Sequence, residues 1–198
     1  DCATEACSVA LFDGHGLVAG DCRVLGRGHA EQLVPMIAAL PDKGKADRIA
    51  VALGPGSFTG VRVGLAAARA LAFAWGAELV GYPTLALVAA MAQGEHPGAV
   101  TVCMTGGHGE WFVQDFNAQG VAQTALASLP AAQASAYGGA AIVAGSQAEA
   151  LVAMRKSGAA MVLLPDARSF LLLPAAALTA DTAPLYGRAP DARVPGAT

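Results

Sequence analysis

Apolar and polar positions change rhythm several times along the chain, and each rhythm selects an element. Residues 7–12 are a short apolar run, and Asp13-Gly14-His15-Gly16 is a hairpin turn, so 17–25 returns as a second strand. From His29, apolar residues recur at Ala30, Leu33, Val34, Ile37 and Ala38, a helical stripe that predicts a helix over 29–40. Pro35 inside it removes a backbone donor and predicts a kink. Residues 49–53 are continuously apolar and end in glycine, as in a buried parallel strand. A glycine-rich loop over 54–60, a long helix over 59–75, a strand over 78–81 and a helix over 84–93 follow, with Thr84 as its N-cap. Strand–loop–helix units in series point to an α/β layer.

Gln93-Gly94-Glu95-His96-Pro97-Gly98 is the linker candidate. Beyond it the order restarts. Strand 99–105, a turn over 106–109 and strand 110–116 come first. Residues 118–137 carry no clear period. A strand over 141–144, a helix over 147–156, a strand over 161–164 and a helix over 167–180 complete the pattern, and a Pro-rich tail begins at Asp181. The expected division is therefore 1–95, 98–180 and a tail, 181–198.

Composition narrows the function classes. The chain has 198 residues, 55% hydrophobic and 14% charged, against an ordinary charged share of about 25%. That excludes a disordered chain. A net charge of −3 with 12 Lys and Arg offers no broad basic field for nucleic acid. Such a charge-poor surface predicts apolar area covered by a partner. The most apolar stretch, 61–75, is interrupted by Arg62 and Arg69, and no run approaches the roughly 18–20 residues of a membrane span. The chain opens at Asp1 with no initiating Met and no signal peptide, in what reads as mid-strand, so a few leading residues are expected ahead of it. Cys2, Cys7, Cys22 and Cys103 form no C-x-x-C pair and no zinc spacing with His, so reduced, buried thiols of a cytoplasmic protein are expected.

Candidate chemistry concentrates in Gly54-Pro55-Gly56-Ser57-Phe58-Thr59-Gly60. Glycines permit close backbone approach, and helix-start N–H groups attract anions. The loop lacks the lysine of a Walker motif and the spacing of G-x-G-x-x-G. A tight structural turn and an anion or nucleotide contact both remain open. Helix 59–75 carries small residues at Gly60, Gly64, Ala67, Ala68, Ala70, Ala72 and Ala74, which permit close helix approach. No histidine pair at i, i+4, no paired carboxylates and no G-x-S-x-G elbow occur, so no catalytic residue and no metal ligand are assigned.

Residues 1–10, 29–37 and 54–64, with the tail 184–192, resemble the TsaB (YeaZ) family of bacterial proteins. The likeness covers the first 95 residues well and the second half weakly. It implies an α/β actin-like ATPase (ASKHA, RNase H-like) fold with two βββαβα-type lobes. It implies a non-catalytic scaffold or activator role in making N6-threonylcarbamoyladenosine at position 37 of tRNAs that read ANN codons. The implied partners are a catalytic TsaD-like subunit in a heterodimer and a TsaE-like ATPase, with tRNA met only through the complex, a homodimer in isolation, and no cofactor of its own. Family helices matching 29–40 and 59–75 pair with those of the partner. The expected interface is therefore His29, Leu33, Ile37, Val61, Leu65, Ala68 and Ala72.

Two departures bear on chemistry. The catalytic relative holds metal with two histidines, and only His29 stands here. The family's Asp-Ala-Arg-x-Gly-Glu turn reads Thr105-Gly106-Gly107-His108-Gly109-Glu110. The first rival reading is a small ASKHA-type phosphotransferase using loop 54–60, which needs a Mg²⁺-positioning carboxylate where Thr105 stands. A protease is the second rival, and no triad or metal set supports it.

Overall fold

The computed structural model describes residues 1–187. Residues 188–198, including the end of the 184–192 motif, lie outside them. The chain opens with the hairpin β1 (Ala6–Asp13) and β2 (Gly16–Val24), paired antiparallel. Helix α1 (His29–Ala38) follows, entered through Gly28 in the left-handed region at φ 84°. Pro35 lies within α1, and both it and Glu31, whose carbonyl it leaves unbonded, are exposed to water, so the helix runs through it. Strand β3 (Arg48–Ala52), helix α2 (Phe58–Trp75) and strand β4 (Glu78–Tyr82) form a parallel β-α-β unit, with β3 and β4 in register from Arg48–Glu78 to Ala52–Tyr82. Ser57 caps α2 by accepting the Gly60 N–H at 3.3 Å, and Gly76 ends it at φ 67°.

Helix α3 (Thr84–Glu95) is apolar all round and buried on every side from Leu85 to Ala92, as such a segment must be. Leu85, Val88, Ala89 and Ala92 face one core, with β5 (Val100–Thr105), β6 (Glu110–Phe116) and β8 (Ile142–Ala144). Leu87 and Met91 face another, with β3, α2 and β4. The expected Thr84 cap is not formed. Pro83 takes the cap position, and Thr84 is the first helical residue, its buried Oγ1 without a hydrogen-bond partner. The linker candidate also starts late, since 93–95 are still helical.

The later strands form one five-stranded sheet, ordered β7-β6-β5-β8-β9, where β7 is Ala127–Pro130 and β9 is Ala159–Met161. Strands β5, β6 and β7 pair antiparallel, while β5, β8 and β9 run parallel. With the single turn α4 (Ala131–Ala134) and helix α5 (Ala148–Arg155), this half reads βββαβα followed by β9. The first half shows ββαβαβα, and its strands stay in two separate pairs. Between those pairs Asp1 lies antiparallel to Ser8, its amino group donating to the Ser8 carbonyl and the Ser8 N–H to the Asp1 carbonyl, both at 2.9 Å.

The helix expected over 167–180 is absent. Pro174 divides the stretch into two 3-10 turns, Ala167–Leu172 and Ala175–Ala177. This segment runs back over the first half. Phe170 packs on Phe12 and Tyr82 at 6.0 and 5.8 Å between ring centres, Ser8 Oγ accepts the Ala167 N–H, and Thr179 exchanges hydrogen bonds with Gly81. No helix of the described residues is long and apolar enough to cross a membrane.

Because α3 belongs to two cores at once, Leu87→Ala should lower the unfolding free energy by about 2–5 kcal/mol. Phe73→Ala, on a fully wet position of α2, should stay within about 0.5 kcal/mol. Urea denaturation of the two variants beside the parent measures both.

Candidate functional site

Loop 54–60 is seated on the backbone of residues 1–3. The Ser57 N–H donates to the Ala3 carbonyl at 2.6 Å, and Thr84 donates to the Gly54 carbonyl at 2.8 Å. A Cβ on Gly56 would fall on the Ala3 carbonyl oxygen, and one on Gly60 on that of Cys2. Both glycines are thus required by close approach and not by dihedral angle; the left-handed glycine of the loop is Gly54, at φ 95°, before a cis Pro55. The Ser57 and Gly60 N–H groups are spent internally, on Ala3 and on the Ser57 hydroxyl. At these positions the loop is seated on the backbone of residues 2 and 3.

The loop also forms one wall of a cleft of about 780 Å³. Thr4 and Glu5, Ser57 and Phe58, Arg62, the turn Thr105 to His108, and Tyr186 line it. The Arg62 guanidinium lies 3.6 Å over the Phe58 ring and donates to the Tyr186 hydroxyl at 3.3 Å. Thr105 is tied to the start of α5, its N–H donating to Ser146 Oγ at 2.9 Å and its hydroxyl accepting from Gln147 at 2.9 Å. Glu110 accepts from Ser128 at 2.6 Å and does not line the cleft. Glu5 is the one carboxylate among the lining residues, and no group of three metal-ligating side chains occurs among the described residues.

The residues expected at a partner interface lie elsewhere than the sequence suggested. Val61, Leu65, Ala68 and Ala72 are buried, and the first three pack α2 on its own sheet with Val51, Leu53 and Tyr82. Leu33 is buried with Met36 in the core under α1, Ile37 is half-buried beside it, and His29 is buried with Nε2 unpartnered. The face chosen from periodicity is the core face. The outward face of α2 carries Arg62, Ala66, Arg69, Ala70, Phe73 and Ala74, with Phe73 92% exposed. The adjoining α1 exposes Ala30, Val34 and Ala38. Arg62 and Arg69, seven residues apart, were the signal that marks this side as the wet one.

A family model described as "TsaD: tRNA N6-adenosine threonylcarbamoyltransferase" matches residues 23–169. The tRNA threonylcarbamoyladenosine biosynthesis protein TsaB of Escherichia coli is 39% identical over 99 residues, which are 48% of this chain and 41% of that protein. TsaB of Haemophilus influenzae is 43% identical over 98 residues, 47% of this chain and 40% of that protein. The matched region thus spans less than half the length of these curated relatives. A crystal structure from Pseudomonas aeruginosa, described as similar to peptidase YeaZ, superimposes with a TM-score of 0.76 at 30% identity over 87% of both chains. YeaZ from the same organism gives 0.75 at 30% identity, again over 87% of both.

The seat predicts that Gly56→Ala lowers stability by more than about 1–3 kcal/mol, since backbone and not a flexible side chain must move. Thermal melts check this; an unchanged melting temperature would remove the structural role assigned to Gly56.

Proposed function

The chain belongs to the TsaD/YeaZ family, on its TsaB (YeaZ) side, and from that membership we propose that it is a non-catalytic scaffold and activator subunit in tRNA N6-threonylcarbamoyladenosine synthesis. Its partner is a TsaD-like catalytic subunit, joined by a TsaE-like ATPase, with tRNA engaged only through the assembly and the whole located in the cytoplasm. In isolation the same surface serves a homodimer. Two lobes, 1–95 and 98–180, with the tail 181–198, carry the division of labour; the five-stranded sheet lying wholly beyond residue 98 supports that boundary.

The observation that carries this reading is the outward face of α2. Ala66, Ala70 and Ala74 are small enough for a foreign helix to approach to about 8–10 Å, and Phe73 offers a large apolar anchor that none of the described residues covers. The partner surface is therefore moved from the buried residues named by periodicity to Val34 and Ala38 of α1 and to Ala66, Ala70 and Phe73 of α2. Phe73→Glu should weaken binding to a TsaD-like subunit by about 2–4 kcal/mol, at least thirtyfold, with circular dichroism unchanged. Leu65→Glu should instead unfold the first half. Co-purification and a tRNA modification assay with and without the chain test the assignment. Full modification by the other subunits alone would defeat it.

The 780 Å³ cleft favours the phosphotransferase as a second reading. Against it stands the turn at Thr105, where a Mg²⁺-positioning carboxylate is needed. The pure chain should show no ATP turnover; turnover abolished by Ser57→Ala would reverse the order of the two readings.

A further inference from the structure

Cys2 and Cys7 face one another across the first turn of the chain. Asp1 and Ser8 exchange both backbone hydrogen bonds, so the next facing pair inward, Cys2 and Cys7, is a non-hydrogen-bonded pair of the antiparallel type. In such pairs Cα atoms stand about 4.5 Å apart, within the span a disulfide requires. Their sulfurs are already in thiol–thiol contact at 3.4 Å, both buried against Val9, Leu33 and Met36. The other two cysteines are differently placed: Cys22 is half-buried on β2, and Cys103 is buried in the core under α5.

We propose that Cys2 and Cys7 form an oxidisable dithiol that closes to an intrachain disulfide on exposure to hydrogen peroxide. Cys7 is the attacking sulfur. The hydrogen bond shared with Cys2 lowers the Cys7 thiol to about 7, while that same bond and burial push Cys2 up. The Cys7 thiolate attacks one peroxide oxygen, the O–O bond breaks, and hydroxide leaves with the proton Cys7 had released, as water. The Cys2 sulfur then attacks the sulfur of the Cys7 sulfenic acid. The S–O bond breaks, and the Cys2 proton leaves with the hydroxide as a second water. Two thiols are oxidised to one disulfide, and one peroxide is reduced to two waters. Both residues are buried, so the oxidant must be as small as peroxide to reach the pair. The site matters because the Cys2 carbonyl lies against Gly60 and its side chain beside Gly64, so the bond forms under the seat of α2.

The test treats the folded chain with excess hydrogen peroxide, alkylates remaining thiols in denaturant, and cleaves after Glu5 without reductant. Cleavage there separates the two sulfurs, so only a disulfide keeps the peptide ending at Glu5 joined to the next. The expected result is that joined peptide, with a loss of two of the four thiols and full alkylation of Cys22 and Cys103. Cys2→Ser should abolish the joined peptide while circular dichroism matches the parent. Complete alkylation of Cys2 and Cys7 after peroxide would overturn the proposal. So would oxidation of Cys22 or Cys103 in their place, or a joined peptide formed only from unfolded chain.

Discussion

The close approach of residues 1–3 to Gly56 and Gly60 is the contact on which the rest of the first half depends. Carbonyl oxygens of Cys2 and Ala3 occupy the space that side chains at those glycines would need. That seat fixes where α2 begins, and the Ser57 cap fixes its first turn. Once the start and roll of an 18-residue helix are set, so is the side it turns to the sheet. Val61, Leu65, Ala68 and Ala72 go inward, and Arg62, Ala66, Ala70 and Phe73 go outward. A loop that resembles a ligand cradle thus acts first by deciding which helix face turns to the sheet and which to water.

The two halves solve a similar problem with different completeness. In the second, β5 sits at the centre of a sheet, antiparallel to β6 and parallel to β8. In the first, β1 and β3 head two separate pairs, and Asp1 makes an antiparallel pair with Ser8 between them. Helix α3 and the returning 165–185 segment hold the halves together. The helix buries one side in each core, and the segment adds Phe170 against Phe12 and Tyr82.

Much of this was legible from residue pattern. The hairpin at Asp13 to Gly16, the β-α-β unit and strand Glu110–Phe116 follow directly from period and turn chemistry. Strand β7 and turn α4 were not readable, because 118–137 is Ala- and Gln-rich without a period of two or 3.6. The apolar stretch 167–180 looked helical, yet Pro174 and tertiary contacts with β1 and β2 held it in short turns. The orientation of α2 is legible only from its charges. Periodicity names the faces of a helix that is apolar nearly all round, but not which one turns inward; the two arginines do, since a charged head stays in water.

The proposed cover of the outward face of α2 is a TsaD-like subunit. Hydroxyl-radical footprinting of Phe73 reads that face directly. The account predicts heavy labelling of Phe73 in the free chain and several-fold protection in the complex, with Met154 and Val162 of the second half unchanged. Equal labelling of Phe73 in both states, with protection confined to Met154 and Val162, would contradict it.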